Sequence, residues 1–180
     1  MTTSLSDAGL TFADGSQQAT AGKTEPYIYL REEVATNAAG GTPVTGTWTS
    51  RNLNTKTHDA NSLATLSSGQ VVLSAGTYRF KGSSFIARSG QPRMRLYNVT
   101  DSLVIGAVGP TEFADTFTAS IDVYSGKPSV RGRFTIAAGK SLALQYFTNG
   151  AFATYGLGYP SNIAGVNECY AELELWKEVP

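Results

Sequence analysis

Residues 148–165, TNGAFATYGLGYPSNIAG, carry the grouping of side chains best suited to recognising a ligand. Phe152, Tyr155 and Tyr159 stand among glycines there, with Asn149, Ser161 and Asn162 beside them. An aromatic ring offers a platform to the apolar face of a sugar, while amides and hydroxyls match its hydroxyl groups. The segment is therefore a candidate glycan site built on Asn149, Phe152, Tyr155, Tyr159 and Asn162. The alternative is that these aromatics cap one end of the fold or pack on a neighbouring subunit.

Side chains of catalytic type do not assemble into a site. AAGKS (137–141) has the Gly-Lys-Ser ending of a phosphate-binding loop, but Phe134 stands where the first glycine belongs. The segment also joins two strands instead of opening a helix, so it reads as a β-turn. His58, the only histidine, lies in the polar stretch TKTHDANS beside Asp59 and reads as a solvated loop residue. Adjacency in sequence does not make a catalytic dyad, and no Gly-x-Ser-x-Gly elbow accompanies it. The single cysteine, Cys169, falls on the apolar face of the last strand by alternation and reads as a small buried hydrophobe. One Cys and one His supply no zinc ligand set. Asp101, Glu112, Asp115, Asp122 and Glu168 are scattered without the spacing of a calcium loop. Asn98-Val99-Thr100 fits a glycosylation sequon, which a cytoplasmically made protein leaves unused. The expectation is a non-enzyme without cofactor or metal.

The elements that must position these residues are β-strands. The chain has 180 residues, one domain's worth. Fourteen Lys and Arg balance fourteen Asp and Glu, for a net charge of zero. That balance argues against a nucleic-acid footprint, which needs clustered positive charge. Charged residues make up 16% of the chain, against roughly 25% in an ordinary globular domain. Nine Tyr, eight Phe and two Trp accompany this low charge, a composition that invites association. No run approaches the roughly 18 apolar residues of a membrane-spanning helix. MTTSLSDAGL has neither the basic nor the apolar region of a signal peptide. The expectation is synthesis in a cytoplasm, with no membrane insertion.

Residues 1–25 are rich in Gly, Ala, Ser and Thr, with Leu5, Leu10 and Phe12 as apolar anchors. Such a segment reads as an extended tail, ordered when it docks on something. Residues 26–180 read as a single β-domain. A two-residue period runs through YIYLREEV (27–34), VVL (71–73), TYRFKGSSFIAR (77–88), RMRLYNV (93–99), LVIG (103–106), ASIDVY (119–124), SVRGRFTI (129–136), SLALQYF (141–147) and CYAELELWK (169–177). Turn formers such as SAGT, SGQP and SGKP separate these runs. Short, closely spaced strands without helical periodicity predict an all-β sandwich or barrel.

The strands also predict their faces. In the first, Ile28, Leu30 and Val34 oppose Tyr27, Tyr29, Arg31 and Glu33. In RMRLYNV, Met94 and Leu96 oppose Arg93, Arg95 and Tyr97. In the last, Cys169, Ala171, Leu173 and Leu175 oppose Tyr170, Glu172, Glu174 and Trp176. One face is aliphatic and belongs to a core. The other mixes aromatics with both signs of charge, the composition that subunit interfaces enrich; the alternative is a solvated face.

Several motifs carry a resemblance. GGTPVTGTWTSRNLNT (40–55), VVLSAGTYRF (71–80), RMRLYNVTDS (93–102), SVRGRFTIAAGKSLALQYF (129–147) and NECYAELELWK (167–177) resemble a phage tail-fibre-type domain. The most specific pieces are Trp48 with Arg51, Leu53, Asn54 and Thr55, then L-x-A-G-T-Y, L-Y-N-x-T-D and Y-A-E-L-E-L-W-K. That domain looks like the trimeric jelly roll of the tumour-necrosis-factor and complement globular-head superfamily. LTFADGSQQATA (10–21) is similar to segments near the joints of phage fibre proteins.

The resemblance implies a two-sheet antiparallel jelly roll of about ten strands, assembled as a homotrimer with its first and last strands near the threefold axis. Tyr27, Tyr29, Arg31, Arg95, Tyr97, Tyr170, Glu172 and Trp176 are the expected interface residues. The function it implies is a virion component: a tail fibre or receptor-binding protein for host attachment, with a host-surface glycan as candidate receptor. Residues 1–25 would dock it on a tail protein. The alternative is a capsid decoration protein or head fibre held to the capsid by the same tail.

Overall fold

Alternating aliphatic residues need a second apolar surface to face, and two stacked sheets supply it. The computed structural model describes residues 24–112 and 125–179, together with the backbone of three short strands nearer the N-terminus. Those three, β1 (Leu5–Ser6), β2 (Gly9–Thr11) and β3 (Gln17–Gln18), pair as an antiparallel meander. The side chains of Leu5 and Leu10, all of Phe12, and the expected strand at 119–124 lie outside the described residues.

The main body begins with β4 (Tyr27–Val34), β5 (Thr49–Ser50), β6 (Thr55–Asp59), β7 (Ala64–Ser67) and β8 (Gln70–Leu73). It continues through β9 (Gly76–Ser84), β10 (Ile86–Ala87), β11 (Arg93–Asn98) and β12 (Leu103–Ile105). The closing strands are β13 (Ser125–Gly126), β14 (Ser129–Ile136), β15 (Lys140–Phe147) and β16 (Glu168–Lys177). A five-stranded sheet has the order β14-β9-β16-β4-β6. The facing sheet runs β12-β11-β15-β8-β7, with β5 also paired to β15. β10 and β13 form a separate two-stranded pair.

Ile28 and Leu30 of β4, Leu173 and Leu175 of β16, and Met94, Leu96, Leu142 and Leu144 of the second sheet are all fully buried. Each such side chain contributes about 1.5–3 kcal/mol through removal from water. Gly82 lets the sheets approach closely, since a Cβ there would stand 2.6 Å from Leu144 Cδ1. Phe134 closes the edge, its ring stacked 5.5 Å from Tyr78 and edge-on to Phe80 at 5.8 Å.

One departure from simple alternation decides which residues face outward. The β16–β4 register shifts between Cys169 and Ala171. A bulge adds one residue to one strand and reverses the phase of everything before it. Beyond the bulge, Leu173 and Leu175 point inward and Glu172, Glu174 and Trp176 outward, as alternation predicts. Before it, Tyr170 is buried next to buried Ala171, while Cys169 is only half-buried. This corrects two expectations. Tyr170 is 4% exposed within its own chain and is not part of the outer face. Cys169 lies on that outer face, where Arg31 Nε donates to its sulfur at 3.1 Å.

His58 is likewise not in a loop. It sits in β6 opposite Tyr29. At one end of the sandwich Lys177 N–H donates to the Pro26 carbonyl at 2.9 Å, so the body's first and last strands begin and end together. At the other end Glu168 pairs with Val34, and the segments 35–48 and 148–166 meet.

Candidate functional site

The outer face of the five-stranded sheet is built by β4 and β16. Tyr27, Tyr29 and Arg31 stand opposite Trp176, Glu174 and Glu172 respectively. Each β4 side chain leans to the next outward position of β16. Tyr27 Oη donates to Glu174 at 3.0 Å, Tyr29 Oη to Glu172 at 2.7 Å, and Arg31 to Cys169. Tyr27 also gathers the rings of Trp176 at 5.4 Å, His58 at 5.6 Å and Tyr29 at 6.2 Å.

Burial and the Glu174 carboxylate push the Tyr27 phenol up to about 12. Burial and the bond to Glu172 raise Tyr29 as well. Burial alone would raise Glu172, but hydrogen bonds from Tyr29 and Lys127 hold it below the usual carboxylate range. Burial pushes the Cys169 thiol up despite the Arg31 contact.

A basic band adjoins this patch. Arg79 and Lys81 project from β9, and Arg131 and Arg133 from β14. Lys81 reaches Glu174 at 3.8 Å and Lys127 reaches Glu172 at 3.1 Å. Arg133 holds Glu178 through two bonds of 2.7 Å, and Arg79 pairs with Glu25. Arg131 has no carboxylate partner among the described residues. Trp176, Arg79, Lys81, Arg131 and Arg133 surround a shallow depression of about 420 Å³.

The eight expected interface residues divide three ways. Tyr27, Tyr29, Arg31, Glu172 and Trp176 are brought together. Tyr170 turns inward, its hydroxyl donating to the Ala38 carbonyl at 2.8 Å. Arg95 and Tyr97 lie on β11, whose outer face belongs to the opposite sheet. There the Arg95 guanidinium lies 4.4 Å from the Trp48 ring centre and 4.5 Å from that of Tyr97. Arg95 Nε donates to Gln145 Oε1 at 2.8 Å, and Trp48 continues to Phe147 at 5.6 Å. Strand alternation foretold which way Arg95 and Tyr97 point, but not which sheet carries them.

The 148–166 segment does bring aromatics together. Tyr155 stacks on Tyr159 at 4.5 Å and meets Phe152 at 6.0 Å, and Arg88 lies 5.2 Å over Phe152. Tyr159 remains 51% exposed. The neutral groups are mostly occupied within the chain. Asn149 Oδ1 accepts the Gln91 N–H at 2.7 Å, and Ser161 donates its N–H and hydroxyl to Glu168 at 3.0 and 3.1 Å. Asn162 is exposed with φ 59° and makes no side-chain hydrogen bond among the described residues. Backbone donation from Ser161 holds the Glu168 carboxyl below its ordinary range.

Beneath the segment is a buried ion pair that composition gave no reason to expect. Arg51, 1% exposed, donates from Nε to Glu32 at 2.6 Å and from Nη2 to the Leu157 carbonyl at 3.1 Å. Its Nη1 has no hydrogen-bond partner among the described residues.

No family model matches this chain, and no curated protein matches it. Among solved structures, the chain is similar to the globular domain of zebrafish complement 1qA protein, at 17% identity and TM-score 0.49, over 86% of this chain and 98% of that one. It is similar to murine APRIL at 10% identity and TM-score 0.54, over 86% and 100%. It is also similar to the PRD1 vertex protein P5 at 12% identity and TM-score 0.46, over 88% and 100%. The APRIL likeness is one of fold alone, and the fold is an antiparallel two-sheet jelly roll. The expected all-β, two-sheet architecture is what the chain adopts.

Proposed function

We propose that this chain is a non-enzymatic virion protein that works as a homotrimer, packing the outer face of its five-stranded sheet against sister subunits. The observation that carries the proposal is the cluster of half-buried Tyr27, Tyr29 and Trp176 with exposed His58, on a sheet face with no second layer over it among the described residues. The face is divided laterally. The β4–β16 half is aromatic and acidic, and the β9–β14 half is basic. A threefold rotation that sets one half against the other gives a head-to-tail contact that closes on itself.

The resemblance of the strand motifs to phage fibre-type domains supports the virion setting. In that setting the trimer serves host attachment as a tail fibre or receptor-binding protein, with residues 1–25 docking it on the particle. Three copies would multiply weak receptor contacts through effective concentration. A capsid decoration protein or head fibre is the competing placement, and imaging the labelled protein on the particle separates the two.

Light scattering tests the assembly. The expected mass is about three times 19.0 kDa. Reversing the basic half with Lys81→Glu and Arg131→Glu should yield a folded monomer. A wild-type monomer at micromolar concentration would overturn the proposal.

A further inference from the structure

The second sheet presents a different kind of surface. Outward positions of its strands include Arg93, Arg95 and Tyr97 on β11, Val104 on β12, Gln145 and Phe147 on β15, and Val72 on β8. The two arginines are the only charges in that set. On the opposite sheet most cations have a carboxylate within 4 Å. Here Arg95 has none among the described residues.

Arg95 is nevertheless held firmly. Trp48 and Tyr97 each place a ring face against the guanidinium, and Gln145 fixes Nε. Its two terminal nitrogens have no hydrogen-bond partner among the described residues and are not fully buried. A planar cation clamped between rings, with one edge unoccupied, is pre-organised for a bidentate carboxylate. Burial lowers the pKa of this arginine, so its charge carries a desolvation cost that a bound anion would relieve.

The neighbouring groups indicate what bears the carboxylate. Trp48 offers a ring face beside the cation, with Phe147 tilted 50° against it at 5.6 Å. At its margin Gln145 Nε2 donates to Ser50 Oγ at 3.4 Å, an exposed pair of neutral groups with capacity left for hydroxyls. Ring platform, neutral hydrogen-bonding groups and a forked cation together match a sugar with an acidic group.

We propose that Trp48, Arg95 and Tyr97 form a binding site for a carboxylate-bearing saccharide on the outer face of the second sheet. The site stands on this face's geometry alone, requiring neither the trimer nor the Tyr155–Tyr159 segment.

The test is a calorimetric and NMR titration of the full chain with trigalacturonic acid and with neutral galactotriose. Trigalacturonic acid should bind at least tenfold more tightly, weaken with added salt and shift the Trp48 indole N–H resonance. Arg95→Gln should reduce its affinity at least tenfold, Arg95→Lys by less, and Tyr155→Ala not at all. Equal binding of the two sugars, an unaffected Arg95→Gln variant or an unmoved Trp48 signal would each overturn the proposal. So would equally tight binding of a tri-aspartate peptide, which would reduce the site to generic charge attraction. Light scattering on the same samples keeps the result separate from the state of the trimer.

Discussion

Tyr29 donates its hydroxyl to Glu172 at 2.7 Å, tying the body's first strand to the chain's last strand across the centre of the aromatic face. Because that bond favours the carboxylate, Glu172 ionises below its ordinary value of 4.5 in the folded chain. A depressed carboxyl contributes stability that is complete above its unfolded pKa and disappears as pH falls through the folded one. Asp59, Asp101, Glu168 and Glu178 are shifted in the same direction. Urea midpoints should therefore hold steady near neutrality and drop as pH falls below about 4.5. Glu172→Gln should give a shallower drop. An identical acid slope in the variant would contradict the assignment.

The Arg51–Glu32 pair sets a second expectation. Glu32→Ala leaves a fully buried guanidinium without its counter-charge, a change that costs about 3–5 kcal/mol. Replacing both partners, with Arg51→Met and Glu32→Leu, should cost much less than the single change. Chemical denaturation of the two variants measures the difference.

Gly158 supports the Tyr170 ring at close range. A Cβ at Gly158 would fall 2.3 Å from ring carbons of Tyr170. Gly158→Ala should destabilise the chain by about 1–3 kcal/mol through overpacking. Pairing it with Tyr170→Ala should be markedly non-additive, since the second change removes the clash. Thermal melts of the single and double variants would report it.

Tyr155 and Tyr159 stack on one another at the end of the sandwich, far from the sheet face proposed to meet sister subunits. If that end contacts a receptor glycan, Tyr155→Ala or Tyr159→Ala should abolish host-cell binding while light scattering still finds the trimer. Undiminished binding by both variants would leave the aromatics a packing role only.

Much of this molecule was legible along its strands, and the misses share one cause. β4 and β14 match the expected segments end to end, because Ile28, Leu30, Val130 and Ile136 alternate cleanly between turn formers. β6 reads as loop in the sequence because TKTHD has no aliphatic residue on either face; it is an edge strand held by pairing with β4. Tyr170 and Cys169 were assigned to exchanged faces because a bulge arises from pairing between distant strands, which local alternation does not record. Sheet membership is equally non-local, and alternation alone does not tell that Arg95 and Tyr27 stand on different sheets. The aromatic clustering at 152–159 was visible, but not the internal bonds that occupy Asn149 and Ser161.

The pairing of Pro26 with Lys177 gives the body a working polarity. Chain enters and leaves at one end, while the Tyr159 segment lies about 25 Å away, the length of eight strand residues. A fluorescent protein or affinity handle joined directly before residue 24 or after residue 179 would therefore trail from the same end. The Tyr159 end would stay clear of either handle, so one tagged body could serve for imaging and ligand measurements alike.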